Sequence, residues 1–210
     1  PNKDFDSDYF DYILLSNKKA NEHSLENDEG LILKRWLKHP KKRNYSLQEI
    51  KESWSYNFNF IEEDQEASIN GLREPQIAAL YSILSHIKIS DEIGTIVMPT
   101  GTGKTETMLC SLIAGKLQKV LITVPSDALR NQIANKFQKL GLLKKFGIIN
   151  QEVLYPRVGI LFDNFDEEDD LLEFLHSSNI IVTTMNILSN NSQSRLRLLN
   201  NHISNVFVDE

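Results

Sequence analysis

Cysteine is almost missing from this 210-residue chain. Cys110 stands alone, which excludes an internal disulfide framework and any zinc site built on clustered cysteines, and points to a reducing compartment, the cytoplasm. Long apolar runs are missing too: the longest, such as VLITV at 120–124, fall far short of the roughly 18 residues that a membrane span needs. The first residues, DFDSDYFDY, are acidic where a secretory or transit segment would be basic and apolar, so no targeting segment is read there. No internal repeat and no low-complexity tract is found. What is present is ordinary globular usage, 40% hydrophobic, 9% aromatic and 25% charged, enough to bury a core. The start at Pro1, without an initiator Met, and the stop at Asp209-Glu210 directly after VFV read as a piece of a longer polypeptide.

The formal net charge of −6 argues against a generally basic nucleic-acid coat. Its distribution matters more. Residues 71–210 carry 13 Lys/Arg against 15 Asp/Glu, and seven of those acids lie within 163–173; without them the balance is 13 to 8, so a locally positive groove is compatible with an acidic total.

Residues 1–70, with 10 basic and 14 acidic side chains and no long periodicity, read as a mainly helical extension. In it, EGLILKRWLKH (29–39) has apolar residues at helical spacing before the breaker Pro40, and SLQEIKESW (46–54) opens with the capping pair Ser46 and Glu49. From residue 71 helical and strand signals alternate. Helices are predicted over 73–87, 105–117 and 126–141, and strands over 94–98 (GTIVM), 119–124, 157–161, 179–184 and 205–208. Unbroken β-branched runs alternating with helices imply an α/β domain, an open parallel sheet with helices on both faces.

The chemistry sits first in Met98-Pro99-Thr100-Gly101-Thr102-Gly103-Lys104-Thr105, between a predicted strand and a predicted helix. Glycines let such a loop curl until successive N–H groups face an anion, and the helix behind adds its positive end. Lys104 can then reach the β and γ phosphates of a nucleotide, and the Thr105 hydroxyl can ligand Mg²⁺. Met98 stands where the usual formula has a small residue. The second signal is VFVDE at 206–210, 105 residues from Lys104 to Asp209, where an acid leaving a buried strand can hold Mg²⁺ and its neighbour can orient an attacking water. Other residues have plainer readings: Cys110 as a buried inert thiol, His86, His176 and His202 as surface or capping residues, and 163–173 as a solvated loop and helix start.

With these motifs the chain resembles the first motor domain of superfamily 2 helicases, the DEAD/DEAH-box-like group. MPTGTGKT looks like their motif I, VFVDE like motif II, PSDALRNQ (125–132) like motif Ia, and VTTMN (182–186) like the later Thr-containing motif. The resemblance implies an incomplete RecA-like P-loop NTPase domain over 71–210 that uses ATP and Mg²⁺. It implies Lys104 on the phosphates with Thr100, Gly101, Thr102 and Gly103 in the loop, Thr105 and Asp209 on the metal, and Glu210 as catalytic base. Ser126, Arg130 and Thr184 would grip a nucleic-acid backbone, and Gln76, in the LREPQ element (72–76), would read the adenine edge. Phe58 and Phe60 are candidates by distance for stacking on the base, with packing as the plainer reading.

LREPQ, MPTGTGKTETM and VPSDALRNQ look closest to bacterial type III restriction and phage-defence helicases, including the helicase subunit of the Hachiman system, which implies antiviral defence and an effector nuclease as partner. VDE in place of LDE favours DNA over RNA. In the family a second domain supplies an arginine contributing on the order of 10³ in rate, so these residues alone imply weak nucleotide binding and little turnover. The rival from another class is a nucleotide-gated scaffold or sensor that binds ATP and couples to a partner effector without unwinding; motif Ia and Thr184 favour the motor.

Overall fold

The computed structural model describes residues 12–16, 33–38, 45–163, 165 and 167–209. They fall into two compact units, one of 1–47, 119–138 and 156–210, the other of 48–118 and 139–155.

The first unit is built on a four-stranded parallel sheet. Its strands are β3 (Val120–Val124), β4 (Val158–Ile160), β5 (Ile180–Thr184) and β6 (Asn205–Val208), in the order β4-β5-β3-β6. Every residue of β3 and β5 is buried, because an α/β crossover covers a parallel strand on both faces and only continuous apolar side chains tolerate that. Register fixes the sheet: Val124 lies opposite Thr184, Ile160 opposite Val182, and Thr123 opposite Val208. Helix α4 (Asp127–Lys139) leaves β3, and helix α5 (Glu168–Ser177) joins β4 to β5. Met185–Ser189 (α6) and Gln193–His202 (α7) lead to β6. On one sheet face Leu121, Leu161 and Ile181 form a core with Phe165, Leu171, Phe174, Leu175 and Leu199. The approach of α5 is close: a Cβ on Gly159 would fall 2.6 Å from Ser178 Oγ and 2.8 Å from Phe174 Cζ.

This unit also holds an antiparallel pair, β1 (Tyr12–Ser16) and β2 (Leu33–Lys38). Of the helix expected over 29–39, the described part, Leu33–Lys38, is therefore a strand, and 29–32 and 39 lie outside the described residues. A short apolar run satisfies both periods, and pairing with YILLS, a segment the local pattern leaves unassigned, decides between them.

The second unit is helical and irregular. It contains α1 (Leu47–Glu52), which begins one residue after Ser46, then α2 (Glu74–Ile89) and α3 (Lys104–Ala114), the last two packed on each other. Ile50, Trp54, Leu72, Leu80, Leu109 and Leu112 are fully enclosed, and the Trp54 indole N–H donates to Leu154 O at 3.1 Å. Phe60 stacks on Tyr81 with 5.0 Å between ring centres and meets Phe58 edge-on, so these rings pack on one another. The strand expected over GTIVM does not form: residues 94–98 make no ladder, and Val97 is 90% exposed. Strand propensity describes fit to a neighbouring pleated surface, and no strand pairs with this run among the described residues.

Candidate functional site

The loop before α3 has the backbone its glycines were expected to supply. Gly101 and Gly103 take φ of +82° and +89°, left-handed values that a side chain would strain. Gly103 is the N-cap residue of α3. Lys104 and Thr105 follow as the first two helical residues, whose N–H groups have no acceptor within the helix and point from its positive end. Thr102 closes the turn, its hydroxyl donating to Pro99 O at 2.6 Å and its N–H to the same carbonyl at 3.3 Å. Thr100 and Gly101 are exposed, while Lys104 and Thr105 are half-buried.

The loop carbonyls are held from the start of α2. Gln76, buried, donates from Nε2 to Gly103 O at 3.2 Å, while its Oε1 accepts from the Arg73 N–H at 2.9 Å. Arg73 donates from Nη1 to Gly101 O at 2.9 Å and pairs with Glu63 at 3.7 Å. With their carbonyls turned toward these donors, the glycines keep a fixed peptide orientation. A Cβ on Gly103 would displace the Gln76 amide from its carbonyl contact, and the positive φ there favours glycine. Gln76 is thus brought to the loop with both ends of its amide engaged. Sequence reasoning gives Arg73 no role, although the spacing of LREPQ was the signal for it.

At the sheet, register brings the other expected residues to one end. Thr184 closes β5 opposite Val124, Ser126 follows β3 by two residues, and Asp209 follows β6 with its N–H donating to Thr123 O at 2.9 Å. All three stand at the carboxyl end of parallel strands, where open α/β sheets place their ligands. Ser126 Oγ accepts from the Leu129 N–H at 3.4 Å, a weak helix cap. Thr184 is buried. Glu210 lies outside the described residues.

Arg130 is turned inward. Its side chain is 5% exposed, pairs with Asp127 Oδ1 at 2.8 Å, and sets its guanidinium 4.3 Å from the ring centre of Phe162, a residue the sequence did not single out. Burial draws the guanidinium below its ordinary pKa, opposed by Asp127. Cys110 is buried on α3 with its thiol pushed up to about 12, first by burial and then by the Glu106 carboxylate, which fits the inert reading. Among the described residues no group of three or more His, Cys, Asp or Glu is placed to hold a metal, and no helix is long and apolar enough to cross a membrane.

No curated protein matches the chain. Among solved structures, the UvsW helicase from bacteriophage T4 is similar with a TM-score of 0.42 and 13% identity, covering 81% of this chain and 62% of that one, so the chain spans less than two thirds of that helicase's length. The family described as "Type III restriction enzyme, res subunit" matches residues 69–210. That stretch holds the LREPQ element, the glycine loop, all four parallel strands and the acid beyond β6. The chain belongs to this family of helicase-like, NTP-dependent nucleic-acid enzymes.

Proposed function

We propose that the chain is the ATP-binding part of a DNA-directed helicase or translocase that serves in phage defence. The observation that carries this reading is the loop itself: Gly101 and Gly103 in left-handed conformations immediately before a helix that opens with Lys104 and Thr105. A triphosphate tail suits it, since the loop offers N–H groups, a helix end and an ammonium to an anion. A hydroxyl and a carboxylate, the side-chain groups of Thr105 and of Asp209, are each oxygen ligands of the kind Mg²⁺ takes, and the ion, when bound, would neutralise charge on the phosphates.

Within this reading Lys104 binds the phosphates and Thr100 to Gly103 shape the loop around them. Thr105 and Asp209 hold the metal, and Glu210 orients the attacking water. Gln76 reads the adenine edge with the second N–H and second lone pair of its amide, beyond those given to Gly103 and Arg73, and Ser126, Arg130 and Thr184 make the nucleic-acid side. DNA as the strand rests on the VDE ending, and defence with a nuclease partner rests on the likeness of LREPQ, MPTGTGKTETM and VPSDALRNQ to defence helicases.

The test is the ATPase rate of the full protein with and without single- and double-stranded DNA. DNA should raise the rate, and Lys104→Ala and Glu210→Gln should each lower the stimulated rate about a hundredfold or more. A rate indifferent to nucleic acid would sink the motor and leave a nucleotide-gated scaffold.

A further inference from the structure

Phe162 stands two residues beyond β4, and its exposure, 40%, is unlike that of Leu161 and Phe165 beside it, which are buried. Its backbone is fixed by its neighbours: the Leu161 N–H donates to Val182 O at 2.9 Å, and the Thr183 hydroxyl donates to Leu161 O at 3.2 Å. Since Ile160 lies opposite Val182, Phe162 stands at the level of Thr184, and Thr184 in turn lies opposite Val124, two residues before Ser126. Phe162 therefore leaves the sheet at the same end as both hydroxyl residues of the proposed nucleic-acid side. Arg130 reaches it from α4, past the exit of β5, and lays its guanidinium 4.3 Å from the ring centre.

We infer that Phe162 is a stacking platform for an unpaired base of a single strand, held from behind by Arg130. This deepens the nucleic-acid reading above and rests on it. Arg130 is already desolvated and paired to Asp127 at 2.8 Å, and among the described residues its Nε has no hydrogen-bond partner. With only 5% of its side chain exposed, the guanidinium offers a phosphate almost no surface. Its strand function is accordingly that of a positioning residue, which fixes one face of Phe162 while the opposite face takes the ligand. The acids nearby decide which part of a strand can bind. Asp127 is 75% exposed and Asp163, the next residue in the chain after Phe162, is exposed, so with the Arg130 cation counted these three side chains carry one net negative charge, which disfavours a phosphate and not the uncharged plane of a base. A single exposed ring is also far too small for a protein interface.

The experiment measures binding of the full chain to a labelled thymidine oligonucleotide and to a duplex of equal length, by fluorescence anisotropy across a salt series. Phe162→Leu should weaken single-strand binding roughly tenfold, with duplex binding and the slope of log affinity against log salt unchanged. Phe162→Trp should bind as wild type does, and the emission of the added indole should be quenched by the strand. Arg130→Met should weaken single-strand binding with the same unchanged slope, since no phosphate contact is lost. If wild type binds the strand and Phe162→Leu binds it equally well, the platform is overturned and the parent reading stands. A flattened salt slope in either variant assigns a phosphate contact and overturns it too. A wild-type chain that binds neither nucleic acid overturns both readings.

Discussion

VLITV at 120–124 and GTIVM at 94–98 are alike as strings of letters and opposite as structure. The first is β3, wholly buried, with a parallel partner on each edge, β5 and β6. The second pairs with nothing described, and its Val97 and Ile96 are 90% and 42% exposed. A β-branched run brings two apolar faces, but a strand also has two polar edges, and only neighbours can take up those N–H and C=O groups. The difference between the two runs is a difference in company rather than in composition.

Ile122→Ala, at a fully enclosed position of β3, should cost about 2–5 kcal/mol by lost transfer energy and a cavity, read as a lower denaturant midpoint. A loss under 1 kcal/mol would mean that β3 is not the closed element described.

Cys110 tests whether exposure stops at the loop, because it lies on the helix into which 94–103 leads. Its folded-state pKa is raised from an ordinary 9.0 to about 12, so its contribution to stability is complete below pH 9 and is lost as pH rises from 9 toward 12. Between pH 8 and 10.5 wild type should lose about 2 kcal/mol more than Cys110→Ala does, measured by paired denaturant melts. Equal losses would show that the thiol, and with it this side of α3, is open to water.

The smallest effect sharpens the contrast from the other side. Val97→Ala should change stability by under about 0.5 kcal/mol, since an exposed side chain leaves no cavity when trimmed. A cost like that of Ile122→Ala would mean that 94–98 is enclosed after all.

What could be read from the letters follows the same line. β3, β4, β5, β6 and helices α1 to α4 announce themselves because each is specified locally, by an unbroken apolar run, a cap such as Ser126, or a breaker. The curl of the glycine loop was legible because left-handed φ at Gly101 and Gly103 is a property of that residue type. The strand at 33–38 and the missing strand at 94–98 were not legible, because pairing partners are chosen across the fold. Phe162 escaped for a related reason: its partner, Arg130, lies 32 positions away, and no spacing rule links them.

Gly159 leaves a mark of another kind. With Ser178 and Phe174 filling the space where its side chain would go, position 159 is coupled to positions 174 and 178. In any kindred chain that carries alanine or larger at 159, the residue at 174 or at 178 should have shrunk. That paired history can be sought by comparing homologues, with no experiment on this protein at all.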